Sequence, residues 1–151
     1  MPAQAHPPLH DHKCIAAWAL ACAERSLAVF ERDDDDDARP RRALVALQAW
    51  IAGASTVADV RSASLAAHAA ARESVDEAAR LAARSAAQAA GVVQSVRHAP
   101  HAASYARRAI AATGGDDEAE LAWQRSNADD VVKAFLAAQI QQPAEISGET
   151  K

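Results

Sequence analysis

Between Leu9 and Arg32 the apolar positions fall on two rows with helical spacing. One row is Ala16, Leu20, Ala23, Leu27 and Phe30; the other is Ile15, Trp18, Cys22 and Val29. Steps of three and four residues place each row on one side of a 3.6-residue helix. Two rows on one segment require burial on more than one side, so this is expected to be the central helix. The next helix is predicted to start near Pro40, whose missing N–H costs nothing in a first turn, with Arg39 as its cap. Leu44, Leu47 and Ile51 form its stripe, and Gly53 marks the stop.

Thr56, with Asp59 three residues on, predicts the start of a third helix that carries Arg61, Leu65, His68 and Arg72 along one face. Ser74 with Glu77 reads as another capping box, opening a fourth helix over Val75 to Arg97. Its inward stripe would be Val75, Ala79, Ala82, Ala86, Ala89, Val93 and Val96. Pro100 and His101 open a fifth helix that ends at Gly114-Gly115. Asp116, Asp117 and Glu118 complement the dipole of a sixth, and Ser126 to Asp129 suggests a break within it.

The chain of 151 residues is 50% hydrophobic but only 4% aromatic, so alanine supplies most of the apolar positions. Alanine is the best helix former and buries little area, which calls for helices in close approach. The expected fold class is all-α: a compact array of five to seven Ala-rich helices. Residues 9–141 form one domain in this reading, flanked by disordered tails at 1–8 and 142–151. No internal repeat of fixed period occurs.

A formal net charge of −4 opposes nucleic-acid binding through phosphate contacts and favours a basic partner. No segment reaches transmembrane length, so no membrane association is expected. Cys14 and Cys22 lie roughly 12 Å apart along one helix at 1.5 Å per residue, too far for a disulfide. Free thiols fit a reducing cytoplasm. Lys13 followed by CIAAWALACA imitates a signal peptide, but the apolar run is short and the preceding His10-Asp11-His12 is poorly basic.

Charge is most polarised at Asp33-Asp34-Asp35-Asp36-Asp37-Ala38-Arg39-Pro40-Arg41-Arg42. Carboxylates suit the start of the second helix but oppose the dipole at the end of the first. That conflict points to a recognition role, the plainer reading being a solvated loop. Arg39 and Arg41 beside a proline-fixed turn are placed to clamp carboxylates, with Glu24 and Glu31 as internal candidates. His10/His12 and His98/His101 have ligand-like spacing, yet no set of three or four zinc ligands emerges, so neither metal nor cofactor is expected. His68 is read with Arg72 as a polar contact between helices. Cys22 lies on an apolar stripe, where a thiol is inert, and no phosphate loop or nucleophile elbow is present.

Several of these stretches resemble a family of small helical bacterial proteins, the immunity-protein-five-like group. The similarity is carried by Trp18-Ala-Leu-Ala-Cys22-Ala-Glu24-Arg25 with Leu27 and Phe30-Glu31, by Asp37-Ala-Arg39-Pro40-Arg41, and by Trp50. Ala66 to Arg72, Ala90-Gly91, His98, Pro100, His101, Tyr105-Ala106 and Trp123-Gln124 follow in order. The resemblance implies a non-enzymatic protein that binds and neutralises a cognate protein toxin, itself basic or acting on nucleic acid. Candidate contact residues are Asp33 to Asp37, Arg39, Arg41, His68, Arg72, His98 and His101. A competing reading gathers Asp37, Arg39, His68, Arg72, His98 and His101 into the pocket of a small enzyme or ligand-binding protein of a specialised biosynthetic pathway. A third is a homodimer through exposed alanine faces.

Overall fold

The structure is a computed structural model and describes residues 7–140. Of the tails expected at 1–8 and 142–151, residues 1–6 and 142–151 lie outside the described residues. Seven helices and no strand are present among them: α1 Leu9–Asp33, α2 Arg39–Ile51, α3 Val57–Glu73, α4 Glu77–Gly91, α5 His98–Ala112, α6 Asp117–Ser126 and α7 Asp130–Ile140.

Both apolar rows of α1 are buried, and the helix packs against α2, α4, α5 and α7. It shares the centre with α4, which touches α1, α2, α3 and α5. Helix α4 can occupy that place because its inward positions are small: Ala79, Ala82, Ala83, Ala86, Ala87, Ala89 and Ala90 are essentially inaccessible. Each methyl contributes little alone, about 0.8 kcal/mol per buried CH2-sized group. Close backbone approach multiplies the contacts, and serines tie the helices together. Ser64 Oγ donates to the Ala87 carbonyl at 2.8 Å, joining α3 to α4. Ser85 Oγ donates to the Ala102 carbonyl at 2.7 Å, joining α4 to α5.

Most helix boundaries obey local rules. Thr56 accepts the Asp59 N–H at 3.1 Å, Asp116 accepts from Glu118 and Ala119, and Asp129 accepts from Val132 at the break between α6 and α7. Gly53, at φ +82°, turns the chain after α2, a conformation that a side chain would strain.

Three expectations need correction. Helix α2 begins at Arg39 rather than after it: Ala38 holds the cap position without a side-chain cap bond, and the Asp37 carboxylate just before it accepts the Arg39 N–H at 3.1 Å. Helix α4 is capped by Asp76, which accepts the Ala79 N–H at 2.9 Å; Ser74 instead ends α3, its hydroxyl donating to the Ala70 carbonyl. Val75 is therefore not an inward residue but an exposed one, 96% accessible, in the connecting turn. Finally, α4 stops at Gly91, and successive tight turns over Val92 to Arg97 carry the chain directly into α5 at His98.

Candidate functional site

The acidic run closes the α1–α2 turn on a firm base. Phe30, Ala70, Ala71, Ala78 and Ala79 form a buried cluster beneath it. Arg39 then pins the turn: its guanidinium grips Asp37 in two bonds, Nε to Oδ1 at 2.9 Å and Nη2 to Oδ2 at 2.7 Å. The same Nη2 reaches Glu73 Oε1 at 2.7 Å, at the end of α3. Those bonds hold the Asp37 and Glu73 carboxyls below the usual range and raise the guanidinium in turn. Arg41 grips Glu31 similarly, at 2.6 and 2.7 Å.

Arg39 and Arg41, two of the arginines flanking the run, are thus committed to Asp37, Glu73 and Glu31. Asp33, Asp34, Asp35 and Asp36 are exposed and make no ion pair among the described residues. With Asp37, Glu73 and Asp76 on the facing turn, Asp33 and Asp34 line an open groove of about 640 Å³.

A second group continues from Glu73 along α3. Arg72 lowers the Glu73 carboxyl on one side and the His68 imidazole on the other, which places all three in one electrostatic neighbourhood. His68 makes a polar contact between helices: Arg84 Nη1 approaches its Nδ1 at 2.6 Å, across the α3–α4 contact. His98 bonds Gln88 Oε1 through Nδ1 at 2.8 Å. Its ring lies so close to Gly91 that a Cβ there would stand 3.2 Å from Cγ. Burial is the main cause lowering both imidazoles; Arg84, Arg72 and His98 add to it at His68, and His101 and Arg97 at His98. Asp37 and Arg39 are in direct contact, and His68, Arg72, His98 and His101 form a separate stretch of the same polar ribbon.

Glu73, Arg84 and Gln88 were not among the sequence candidates. Arg80, Arg84 and Gln88 were recoverable, as the one polar row in an alanine run; Glu73 carried no local signal, since Arg39 lies 34 residues away.

The Trp18 to Arg25 motif and Trp123-Gln124 turn out to meet. Trp18 Nε1 donates to the Gln124 carbonyl at 2.9 Å, and the Gln124 side chain donates to the Ala103 carbonyl at 3.0 Å. Arg25 pairs with buried Glu120 and lies 4.1 Å from the centroid of the Trp123 ring. These motif residues latch α6 onto α1 and α5.

Burial takes Cys22 and His12 out of contact with solvent. The Cys22 thiol is pushed up to about 12, first by burial and then by Glu120, so it is protonated at neutral pH. His12 turns inward, Nε2 bonding the Val92 carbonyl at 2.5 Å and its ring packing edge-on to Trp50. His10 stays at the surface, so the HxH spacing does not converge. Among the described residues no group of three or more His, Cys, Asp or Glu is disposed to hold a metal ion. No described helix is long and apolar enough to cross a membrane.

An all-α array with its sequence motifs spent on an α1–α6 latch and a pinned acidic turn is the class of protein this is. The chain belongs to the Imm-5 like putative immunity protein family, whose model matches residues 7–131. Searches of curated proteins and of solved structures each found no match.

Proposed function

We propose that the protein binds and neutralises a cognate bacterial protein toxin in the cytoplasm, with the α1–α2 turn as its principal contact. Family membership supports an immunity role. The single observation that carries the docking surface is the unneutralised run Asp33 to Asp36, held on a buried base while Arg39 and Arg41 are committed to Asp37, Glu73 and Glu31. A fixed negative patch costs self-repulsion in the free protein and accelerates encounter with a basic surface. The partner that fits is a basic toxin, such as one that acts on nucleic acid.

Asp37 and Arg39 hold the platform rather than touch the partner, in this reading; Arg41, His68, Arg72, His98 and His101 border it. A homodimer is not needed for this mode of binding. The test is co-expression with the products of adjacent genes, scoring rescue from toxicity and co-purification. Asp33 to Asp36 are then changed together to Asn, leaving Asp37 intact. Association should slow about tenfold or more at low salt, and the difference should shrink as salt rises. An unchanged rate in a complex that still forms would sink the acidic-contact assignment.

A further inference from the structure

After its first residue, every position on α4 is buried except Arg80, Arg84 and Gln88. They recur at i, i+4 and i+8, one row on the helix. The row lies half-buried between α3 and α5, the two helices α4 packs on most extensively. His68 and Arg72 stand on the α3 side, and His98 and His101 on the α5 side. Sequence segregates charge around this furrow: no Asp or Glu occurs from Ala78 to Gly115, although Arg80, Arg84, Arg97, Arg107 and Arg108 do. The flanking carboxylates are occupied, Glu73 by Arg39 and Glu77 by Arg80. Arg107 faces away to Asp117.

Hydrogen bonding leaves the furrow short of acceptors. His68 accepts from Arg84 at Nδ1, so the ring carries its proton on Nε2. His98 bonds Gln88 through Nδ1, which donates to Oε1 and leaves Nε2 able to take a proton. The remaining guanidinium donors of Arg84 and Arg72 have no carboxylate partner among the described residues. Gathering these cations without a counter-charge is unfavourable in the free protein, and an entering anion would reverse that cost.

We propose that the furrow between α3 and α5 is a binding site for the carboxylates of an acidic protein segment, held by Arg72 and Arg84 and by the His68 and His98 imidazoles. A continuous nucleic-acid backbone fits less well, because the ribbon runs on into the Asp33 to Asp37 corner, which repels a polyanion that extends past the site. A short acidic segment can turn away before reaching it. The inference extends the toxin-binding reading, since it gives the partner carboxylates beside its basic surface, but its test needs no captured toxin.

The experiment is a titration of the full chain, with ring-nitrogen-labelled histidines, against an acetylated pentaaspartate peptide, inorganic phosphate, and sodium chloride at matched ionic strength. The His68 and His98 signals should shift saturably with the peptide. Its affinity should rise by about threefold or more between pH 7.5 and 6, because a bound carboxylate favours a proton on the free Nε2 of His98, while His68 donates as the neutral ring. Arg84→Gln should abolish the response. Should that variant misfold, the exposed Arg72→Gln should still weaken binding about threefold or more while the amide spectrum stays native. Shifts no larger than those with salt, tighter binding of phosphate than of peptide, or unchanged affinity in the folded variants would overturn the assignment. Failure here leaves the acidic-turn contact standing, and failure of co-expression leaves this site standing.

Discussion

Arg25 on α1 and Glu120 on α6 lie 95 residues apart and share two charge-assisted hydrogen bonds, each 2.8 Å long. Glu120 is almost wholly buried, whereas the Arg25 side chain keeps more than a third of its surface exposed. Removing the acid strands a partly solvated cation and frees the end of α6. Glu120→Ala should cost about 2 kcal/mol, below the range for fully buried pairs because solvent screens Arg25. In a thermal melt that is a fall of about 5 °C, and Glu120→Gln should recover part of it. A melt unchanged by Glu120→Ala would show that α6 is held by Trp18 and Gln124 alone.

Competition between Ser74 and Asp76 for the start of α4 gives a second expectation. Asp76→Ala should destabilise by about 1 kcal/mol through loss of the cap to the Ala79 N–H. Ser74→Ala removes only a bond back to the Ala70 carbonyl and should stay within about 0.5 kcal/mol. Denaturant midpoints at constant slope distinguish the two, and the reverse order would restore Ser74 as the cap.

The depressed imidazoles of His68 and His98 set a pH dependence. Their folded values lie below the unfolded value of about 6.5, so unfolding takes up protons once the pH falls below that. Stability is full above this point and is lost as pH drops through the folded values. Asp37, Glu73 and Asp117 are also lowered, but carboxylates titrate further down, so the windows separate. Melting temperature should decline from pH 7.5 to 5, and the His68→Gln/His98→Gln double variant should flatten that decline. An equally steep slope in the double variant would point to other groups.

Thiol chemistry should follow burial. Cys22 is inaccessible and protonated, while Cys14 is half-buried with its thiol raised by burial and by Asp129. Under native conditions a disulfide-exchange reagent should reach Cys14 slowly and Cys22 only when the protein opens. Cys22 modification should therefore accelerate with denaturant in step with unfolding. Rapid native labelling of Cys22 would contradict the packing of α1 against its neighbours.

What local chemistry dictates was legible in the order of residues. The double stripe on α1, the Thr56 cap, the acidic start of α6, the stop at Gly53 and the break before Asp130 each depend on neighbours within a turn or two. That was enough for the all-α class and for most helix positions. Ser74 misled because both it and Asp76 satisfy the same local grammar, and the path of the connecting turn chose between them.

Partners across the fold were decided by tertiary structure alone. Periodicity says which side of a helix turns inward, not which helix it meets. Hence Arg39 was visible as a clamp but not its grip on Glu73, and His68 as a polar contact but not Arg84 as its partner. The Trp18 and Trp123 motifs stood out in sequence, and only packing revealed that they seize each other. Charge order alone placed five aspartates in a row; the structure shows that Arg39 and Arg41 go to Asp37, Glu73 and Glu31, and that the other four aspartates stand exposed without an ion pair among the described residues.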